Sequence, residues 1–318
     1  MKNLTFSQRK QMERRKKAIA LSLGLVVMGS TIGGLTVGAS AAEKDIEPVI
    51  KCVTSQEMMS SKSQIPLGAK EIDVIINGRH VLDGRVFYIN GSTYVPMFAF
   101  ADWLGYFNCS YNVWNKTTMI CGENLEINAT VGKKYISANG RYFYTENEVL
   151  TYNGTVYVPI LPMVKALNGY LSYDSEKSAF VVSSGDTRRL KNAENFYRQD
   201  EVYWLARIIS AEAGAEPLEG KIAVGNVVLN RVRSEYFPNT IYGVIFDRKF
   251  GVQFSPVANG TIYKEPTAES IIAAKICLEG YTVSEEILYF MNPDIATSKW
   301  ISGNREYAFR IGNHVFYK

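Results

Sequence analysis

The sequence predicts an α+β protein, in which a two-repeat module of antiparallel β-hairpins and helices precedes an α-rich domain. Two observations carry this prediction. A motif built around Asn-Gly and Tyr-Val-Pro occurs twice in the first part of the chain, whereas long helical periodicity appears only from about residue 198 onward. Such segregation of strands and helices is typical of the α+β class.

Residues 1–41 have the composition of a secretory signal. A stretch with six Lys or Arg residues between Arg9 and Lys17 precedes the apolar run AIALSLGLVVMGSTIGGLTVG, and Ala39-Ser40-Ala41 offers a small-residue cleavage site. The apolar run is about long enough to cross a bilayer, so an uncleaved anchor is the alternative. We expect cleavage and a secreted, extracytoplasmic protein. If the segment is not cleaved, it is the part that contacts a membrane.

The predicted signal dominates the net charge. Its seven basic residues and one acidic residue contribute +6 to the formal charge of +4, which leaves −2 for the remainder. A net negative chain without a clustered Lys/Arg stripe gives no indication of nucleic-acid binding. A catalytic zinc site usually needs three ligands rich in His or Cys. The two histidines, His80 and His314, lie in different predicted domains, so we expect no metal and no cofactor.

The four cysteines have different expected roles. Cys109 and Cys121 flank the predicted hairpin NVWNKTTM, where an oxidising exterior permits a disulfide; two unpaired buried thiols are the alternative. Cys52 lies in a predicted linker. Cys277 shares a helical face with apolar residues and is expected to fill the core.

Composition divides the chain into five segments. After the signal, residues 42–70 are polar and aperiodic and are predicted to be a linker. Residues 71–184 contain the repeat, and the charged residues 185–197 mark a second linker. Residues 198–318 are sufficient for one domain with its own core.

The repeat has a constant offset of 63 positions. INGSTYVPMFAFADWLGYF, from Ile89, recurs as YNGTVYVPILPMVKALNGY, from Tyr152. In each copy Asn-Gly supplies a hairpin turn, the following residues suit a strand, and proline ends that strand before a short helix. The segments CSYNVWNKTTMIC and YLSYDSEKSAFVV are expected to form a hairpin after each helix, and EIDVIING and ATVGKKYISANG begin the two units. Two related half-domains are predicted.

The pattern xNGxxYVPxxxxxxxLG resembles the copper amine oxidase N-terminal-like repeat module of secreted proteins. The resemblance implies a non-catalytic module for surface or wall attachment. A spacer without a ligand is the alternative, and both remain open. The resemblance implies no copper, since His80 is the one imidazole in this segment.

Glu212 is a carboxylate on the predicted buried side of a helix. The segment DEVYWLARIISAEAG opens with Asp200, a good N-cap residue, and closes with Gly214, which suits a left-handed stop. One face of this helix carries Leu205, Ile208, Ile209 and Glu212. Burial beside apolar groups would raise the pKa of Glu212 and keep it protonated near neutral pH, as a general acid requires. A glutamate that bends out to water is the alternative.

Two further helices are predicted in the same domain. LEGKIAVGNVVLNRV follows Pro217 and has apolar residues at helical spacing. A third helix opens at Thr267, runs through Leu278 and stops at Gly280. Glu219 lies in the first turn of the second helix, where the helix dipole is expected to keep it charged.

The remaining candidates lie in loops. The segment around QFSPVANGTIY combines the amide of Gln253 with Phe254 and other aromatics, a composition suited either to sugar rings or to an ordinary ordered loop. The tail offers exposed-group candidates for the wall of a cleft, which are Tyr289, Asn292, Trp300 and His314.

Five blocks resemble, in order, the SleB-type or spore cortex-lytic cell wall hydrolase domain. They are AEAGAEPLEGKIAVGNVVLNRV, FPNTIYGVIF, QFSPVANGTIY, FMNPDIATSKWI and IGNHVFYK. The resemblance implies an α-rich, lysozyme-like fold that acts on peptidoglycan, with the catalytic glutamate at Glu212. It implies binding or supporting positions at Glu219, Gln253, Asn292, Trp300 and His314. Gly214-Ala215 departs from the arginine and glycine frequent in that family, which would alter the rim of the cleft.

These observations predict a peptidoglycan-degrading enzyme in which Glu212 acts as acid and then as base in a lytic transglycosylase reaction. A hydrolytic muramidase would need a second carboxylate, for which Glu216 and Glu219 are the candidates. An amide-cleaving enzyme that uses Cys277 and His314 is a further hypothesis, and a non-catalytic wall-binding protein is the last. Vegetative wall and spore cortex both remain open as the substrate.

Overall fold

The structure is a computed structural model that describes residues 49–51, 65–105, 108–183, 190–249, 251–296 and 298–318, with only the backbone of 49–51. The predicted signal and most of the first linker, including Cys52, lie outside the described residues. All described residues belong to the second of two compact units, 47–318. None of the described helices has the length and hydropathy needed to cross a bilayer.

The repeat region is built from short strands with one helix in each copy. The strands are β1 (Val49–Lys51), β2 (Lys70–Glu71), β3 (Asp73–Ile76), β4 (Arg79–Val81), β5 (Phe87–Ile89), β6 (Ser92–Pro96), β7 (Asn108–Asn112), β8 (Thr117–Gly122), β9 (Leu125–Thr130), β10 (Tyr135–Ala138), β11 (Arg141–Tyr144), β12 (Leu150–Tyr152), β13 (Thr155–Pro159), β14 (Tyr170–Asp174) and β15 (Ala179–Ser183). The helices are α1 (Met97–Trp103) and α2 (Ile160–Ala166).

Each copy follows the predicted order of turn, strand, helix and hairpin. Asn90 and Gly91 have φ of 50° and 83°, and Asn153 and Gly154 have φ of 46° and 72°. Two consecutive positive φ angles are typical of the tight hairpin turn that Asn-Gly favours. The hairpins β7–β8 and β14–β15 follow α1 and α2. The predicted arrangement of the repeat is confirmed.

The two copies share their sheets. In the sheet of order β12-β13-β6-β5-β2, β6 of the first copy pairs antiparallel with β13 of the second. Val95 lies opposite Val158, its equivalent at the repeat offset, so the copies are related about this pair. In the sheet β14-β15-β3-β4, β15 runs parallel to β3. A third sheet has the order β1-β7-β8-β9-β10-β11. The half-domains are therefore interlocked, which a sequence offset does not reveal.

A disulfide between Cys109 and Cys121 is excluded, because Cys121 is a free thiol. In the hairpin β7–β8, Cys109 lies opposite Ile120 and Cys121 lies opposite Asn108. Side chains alternate between the two faces along a strand. The two cysteines therefore point to opposite faces of the sheet.

The C-terminal region packs helices against a small sheet. The helices are α3 (Ala193–Phe196), α4 (Gln199–Ala213), α5 (Leu218–Arg233), α6 (Ile241–Ile245), α7 (Ser255–Asn259), α8 (Ala268–Leu278) and α9 (Trp300–Asn304), with a short 3₁₀ turn at Thr261–Tyr263. The strands β16 (Tyr289–Met291), β17 (Tyr307–Ile311) and β18 (His314–Tyr317) form a sheet of order β16-β18-β17. The α+β class is confirmed, and this sheet in the C-terminal region was not predicted.

The three long predicted helices are α4, α5 and α8, but the ends of α4 differ from the prediction. Arg198 occupies the N-cap position, and Asp200 lies in the first turn, where it pairs with Arg198 at 2.8 Å. Gly214 has a φ of −56° and stays in the right-handed helical region. An added Cβ there would lie 2.5 Å from the Ser210 carbonyl oxygen, so close approach explains this glycine.

Helix α5 lies at the centre of the C-terminal core. The buried surface of α5 is wider than the predicted face of apolar residues, because Asn226 and Asn230 are also buried. Asn226 Nδ2 donates to the Tyr281 carbonyl at 3.0 Å, and Asn230 Nδ2 donates to the Ile287 carbonyl at 2.9 Å. These amides fix the loop that leads from α8 to β16.

A buried ion pair joins the repeat region to the end of α8. Arg141 of β11 donates two hydrogen bonds of 2.7 Å to Glu279, and the two side chains are only 12% and 7% exposed. Tyr197 donates its hydroxyl hydrogen to the same carboxylate, and the Arg141 guanidinium lies 3.5 Å from the Phe196 ring centre.

Residues 190–197, the described part of the second predicted linker, therefore belong to the contact between the repeat region and the C-terminal region. Leu190 is buried in the repeat core, and α3 and Tyr197 lie against the ion pair. Nearby, the rings of Tyr144 and Tyr281 have centres 4.3 Å apart. The repeat region is thus packed on the C-terminal region rather than tethered to it by an isolated spacer.

Candidate functional site

Glu212 lies one residue before the end of α4, on the face that packs into the core. Leu205, Ile208 and Ile209 on the same face are fully buried, as predicted. The Glu212 side chain is half-buried, and no described residue forms a hydrogen bond or ion pair with its carboxyl group. Burial raises the pKa of Glu212 to about 7. The predicted direction of the pKa shift is confirmed, and half of the groups are protonated near neutral pH.

The Glu216 carboxylate binds the turn between β17 and β18. Asn313 donates to this carboxylate from its backbone N–H at 3.0 Å and from Nδ2 at 2.9 Å. Burial opposes the ionisation of Glu216, but the bonds from Asn313 and the charges of His314 and Lys221 outweigh it, and its pKa is lowered. Both oxygens of this anion have partners, so Glu216 fixes this turn.

Gly312 is required for this contact. It has a φ of +56°, and an added Cβ would lie 2.0 Å from Glu216 Oε2. A side chain at this position would displace the carboxylate. The IGNH segment is therefore shaped around Glu216.

Glu219 lies toward the repeat region. The pKa of Tyr281 is raised to about 12, mainly by burial and next by the negative charge of Glu219. The same two causes raise the pKa of Tyr144. Tyr144 belongs to β11, and its ring packs against Tyr281. The environment of Glu219 is thus the contact between the two regions.

A set of rings and one guanidinium group connects four of the predicted residues, which are Phe254, Tyr289, Trp300 and His314. The His314 ring centre lies 5.3 Å from that of Phe290, and Phe290 lies 6.4 Å from Phe254. The Arg231 guanidinium carbon lies 5.2 Å from the Phe254 ring centre and 5.4 Å from that of Tyr289.

The set ends at Trp300, whose ring centre lies 6.5 Å from that of Tyr289. Trp300 is 54% exposed, whereas Phe254 and His314 are buried. We call this set the aromatic wall, and it consists of His314, Phe290, Phe254, Arg231, Tyr289 and Trp300. It brings Trp300, Phe254 and His314 into one structure, next to the turn fixed by Glu216.

One predicted exposed group, His314, is buried, and Phe254 agrees with the ordered-loop alternative rather than with sugar stacking. His314 was expected on a cleft surface but is buried in β18, where burial lowers its pKa. Phe254 is 2% exposed, so its ring packs inside the wall and does not stack on a sugar. His314 lies in a strand and Phe254 lies in a loop, and both side chains face apolar surroundings. The sequence alone does not show that this strand and this loop pack together.

Gln253 and Asn292 make local contacts. Gln253 Nε2 donates to the Gly251 carbonyl at 3.2 Å, and Asn292 Oδ1 accepts the N–H of Asp294 at 3.0 Å. Each side chain therefore stabilises its own turn. Their predicted binding roles stay predictions.

Arg231 is a site residue that was not predicted from the sequence, although a signal existed. It is 5% exposed, and it lies three, four and seven positions after the buried Val228, Val227 and Val224. The same periodicity that identified Glu212 places Arg231 on a buried face. No comparable pattern marks Arg305, whose guanidinium lies 4.4 Å from the Tyr289 ring centre.

The described residues contain neither a reactive thiol at Cys277 nor a group of side chains that could hold a metal ion. Cys277 is 1% exposed, burial raises its pKa, and its thiol donates to the Ile222 carbonyl at 3.4 Å. The predicted core role of Cys277 is confirmed. Within the described ranges, no three His, Cys, Asp or Glu residues are grouped so as to hold a metal ion.

Two family descriptions match separate parts of the chain. Residues 75–182 match the Copper amine oxidase N-terminal domain, and residues 215–317 match Cell Wall Hydrolase. The second match begins three residues after Glu212, so it does not itself assign that carboxylate.

Related proteins match the same C-terminal part. The spore cortex-lytic enzyme of Bacillus subtilis (strain 168) is 41% identical over 125 residues, which are 39% of this chain and 40% of the relative. The Bacillus cereus enzyme of that name is 40% identical over 127 residues, or 40% of this chain and 48% of the relative. The chain therefore spans less than half the length of these curated relatives.

Solved structures of isolated catalytic domains are also similar. The catalytic domain of the germination-specific lytic transglycosylase SleB from Bacillus anthracis is 40% identical, and the match covers 39% of this chain and 98% of that chain, with a TM-score of 0.36. The SleB catalytic domain of Bacillus cereus is 40% identical over 94% of its length, with a TM-score of 0.35. The C-terminal part of this chain matches the cell wall hydrolase family, and it follows a part that matches the copper amine oxidase N-terminal domain.

Proposed function

We propose that this protein is an extracytoplasmic peptidoglycan-degrading enzyme, and that it cleaves glycan strands as a lytic transglycosylase. The observation that carries the proposal is the unpaired, half-buried Glu212, whose pKa of about 7 keeps a carboxylic acid available near neutral pH. The relatives named spore cortex-lytic enzyme and lytic transglycosylase support the same reaction class.

The proposed reaction uses one carboxyl group twice. Protonated Glu212 donates its proton to the glycosidic oxygen between N-acetylmuramic acid and N-acetylglucosamine as the bond to the muramic C1 breaks. The resulting carboxylate accepts the proton of the muramic C6 hydroxyl while its oxygen bonds to C1. The products are an anhydromuramyl end and a free N-acetylglucosamine hydroxyl, no water is consumed, and Glu212 is protonated again.

The neighbouring carboxylates favour this reaction over hydrolysis. A hydrolytic glycosidase usually needs a second carboxylate that is free to act as a nucleophile or to activate water. Both oxygens of Glu216 accept hydrogen bonds from Asn313, and Glu219 lies beside Tyr144 and Tyr281. A reaction that needs only Glu212 fits these constraints.

The amide-cleaving alternative is not favoured. It would require a reactive thiolate at Cys277, but that thiol is buried and burial raises its pKa. His314 contacts Phe290 and Phe316 rather than a thiol. A non-catalytic wall-binding role differs from the proposal because it requires no acid at Glu212.

The place of action and the role of the repeat module are also part of the proposal. A substrate in the cell wall or spore cortex and the secretory composition of residues 1–41 support secretion. The substrate is peptidoglycan from either source. The copper amine oxidase N-terminal domain would hold the enzyme at the wall, in a fixed orientation set by its contact with α8.

Analysis of the product ends tests this proposal. Purified protein is incubated with peptidoglycan from vegetative walls and from spore cortex, and the soluble fragments are analysed by mass spectrometry before and after borohydride reduction. We expect anhydromuramyl ends, which lack the mass of one water and resist reduction. Reducible muramic acid ends would contradict the lytic reaction, and released stem peptides on intact glycan would favour the amidase.

A further inference from the structure

Arg305 is a cation that lies against two aromatic rings and has no acidic partner among the described residues. Its guanidinium carbon lies 4.4 Å from the ring centre of Tyr289 and 5.0 Å from that of Trp300. No hydrogen bond or ion pair from a described residue reaches the guanidinium, and its buried Nε has no acceptor. A buried N–H without an acceptor is costly, so this guanidinium calls for a partner that the described residues do not supply.

A second guanidinium lies against the same tyrosine. Arg231 is 5% exposed, and its Nε donates to the Leu288 carbonyl at 2.8 Å, but its buried Nη1 has no acceptor. Asp247 acts on it through charge, yet it forms no hydrogen bond with Arg231 among the described contacts. Two cations thus share Tyr289 with no carboxylate bonded to either, so this end of the aromatic wall has an excess of positive charge.

The geometry limits what Arg305 can bind. The N–H groups of a guanidinium lie in one plane, and such a planar set of donors fits a carboxylate through two parallel hydrogen bonds. Arg305 is only half-buried and Trp300 is 54% exposed, so a ligand can approach from solvent. The site is therefore suited to a carboxylate carried on a larger molecule.

We propose that Arg305, held by Tyr289 and Trp300, binds a carboxylate of the peptide stems of peptidoglycan. The glycan backbone of amidated amino sugars is uncharged, so the stems are the source of carboxylates in this substrate. The inference rests on the proposed function for its substrate, and it adds a subsite that reads the peptide rather than the sugar. The aromatic wall connects this subsite to the turn that Glu216 fixes. Glu216 itself is four residues after Glu212 in the sequence.

The test measures binding rather than cleavage. Co-sedimentation with phosphate-free purified peptidoglycan is measured in the Glu212→Gln background, before and after the stem carboxylates are converted to amides with ammonium ions and a carbodiimide. We expect Arg305→Gln to weaken binding to untreated peptidoglycan about tenfold, and to leave binding to the amidated material within about twofold. Arg305→Lys keeps the charge but not the planar edge and should lie between the two. Lys299→Gln, which removes an exposed charge beside Trp300, is the matched control and should leave both affinities within about twofold.

Several results would overturn the inference. An equal loss on both materials would mean that Arg305 binds glycan or only supports the fold. An equal effect of Lys299→Gln would mean that a general positive field attracts the wall. Loss of thermal stability in Arg305→Gln together with full binding by Arg305→Lys would assign Arg305 a structural role. Because binding is read without turnover, failure here is distinct from failure of the proposed reaction, which would appear as the wrong product ends.

Discussion

Glu212→Gln is expected to lower the rate of glycan cleavage about 1000-fold or more. General acid–base catalysis contributes roughly 10²–10⁴-fold, and here one residue performs both the protonation and the deprotonation. Glutamine has nearly the same shape, but it cannot donate a carboxylic acid proton or accept the C6 hydroxyl proton. The rate is measured as release of soluble fragments from purified peptidoglycan.

The matched controls are Glu216→Gln and thermal unfolding. Folded Glu212 has a pKa of about 7, above its ordinary value of 4.5, so its neutral form stabilises the fold below pH 4.5 and this contribution is lost as the pH rises through 7. Glutamine does not titrate, so the variant should gain stability relative to wild type between pH 4 and pH 8. Glu216→Gln weakens a turn and should lower stability more than activity. Full activity of Glu212→Gln would show that cleavage does not use Glu212 as its acid.

Glu279→Gln is expected to lower the free energy of unfolding by about 3–5 kcal/mol. It leaves the buried Arg141 guanidinium without its carboxylate, and breaking one partner of a buried ion pair costs about this much. Glutamine keeps one carbonyl oxygen for the Tyr197 hydroxyl and Arg141 Nε, but it lacks the second oxygen that accepts from Arg141 Nη2. Because the pair joins the repeat region to α8, calorimetry should also resolve separate unfolding of the two regions in the variant.

The exposed pair Arg198–Asp200 provides the comparison. Its side chains are 71% and 60% exposed, so water screens the pair and Asp200→Asn should cost far less stability than Glu279→Gln. Replacing both Arg141 and Glu279 by methionine should restore most of the stability, since no unpaired charge remains. If Glu279→Gln is no more destabilising than Asp200→Asn, the two regions are not held together as described.

Local patterns in the sequence are sufficient for much of this protein. The Asn-Gly turns, the prolines before the short helices and the three long helices follow from propensity and periodicity. Glu212 was identifiable because three buried residues on its helical face are close in sequence. Arg231 also follows buried residues at helical spacing, so its burial could have been predicted in the same way.

Long-range contacts account for what the sequence did not predict. The pairing of β6 with β13, the contact of Asn313 with Glu216 and the burial of His314 each join segments far apart in the chain. Charge and polarity made residues 185–197 look like a linker, although Tyr197 is buried against Glu279. Such side chains have partners that composition does not identify.

The most direct test of the proposed mechanism is the titration of Glu212 itself. The carboxyl carbon is followed by NMR in ¹³C-labelled protein, assigned by its absence in Glu212→Gln, and compared with kcat/KM across the same pH range. We predict that the carboxyl group titrates near pH 7, and that kcat/KM falls about tenfold per pH unit above that point as the acid is lost. Titration near pH 4.5, or a cleavage rate that is unchanged while Glu212 ionises, would contradict the role of a neutral Glu212 as the acid.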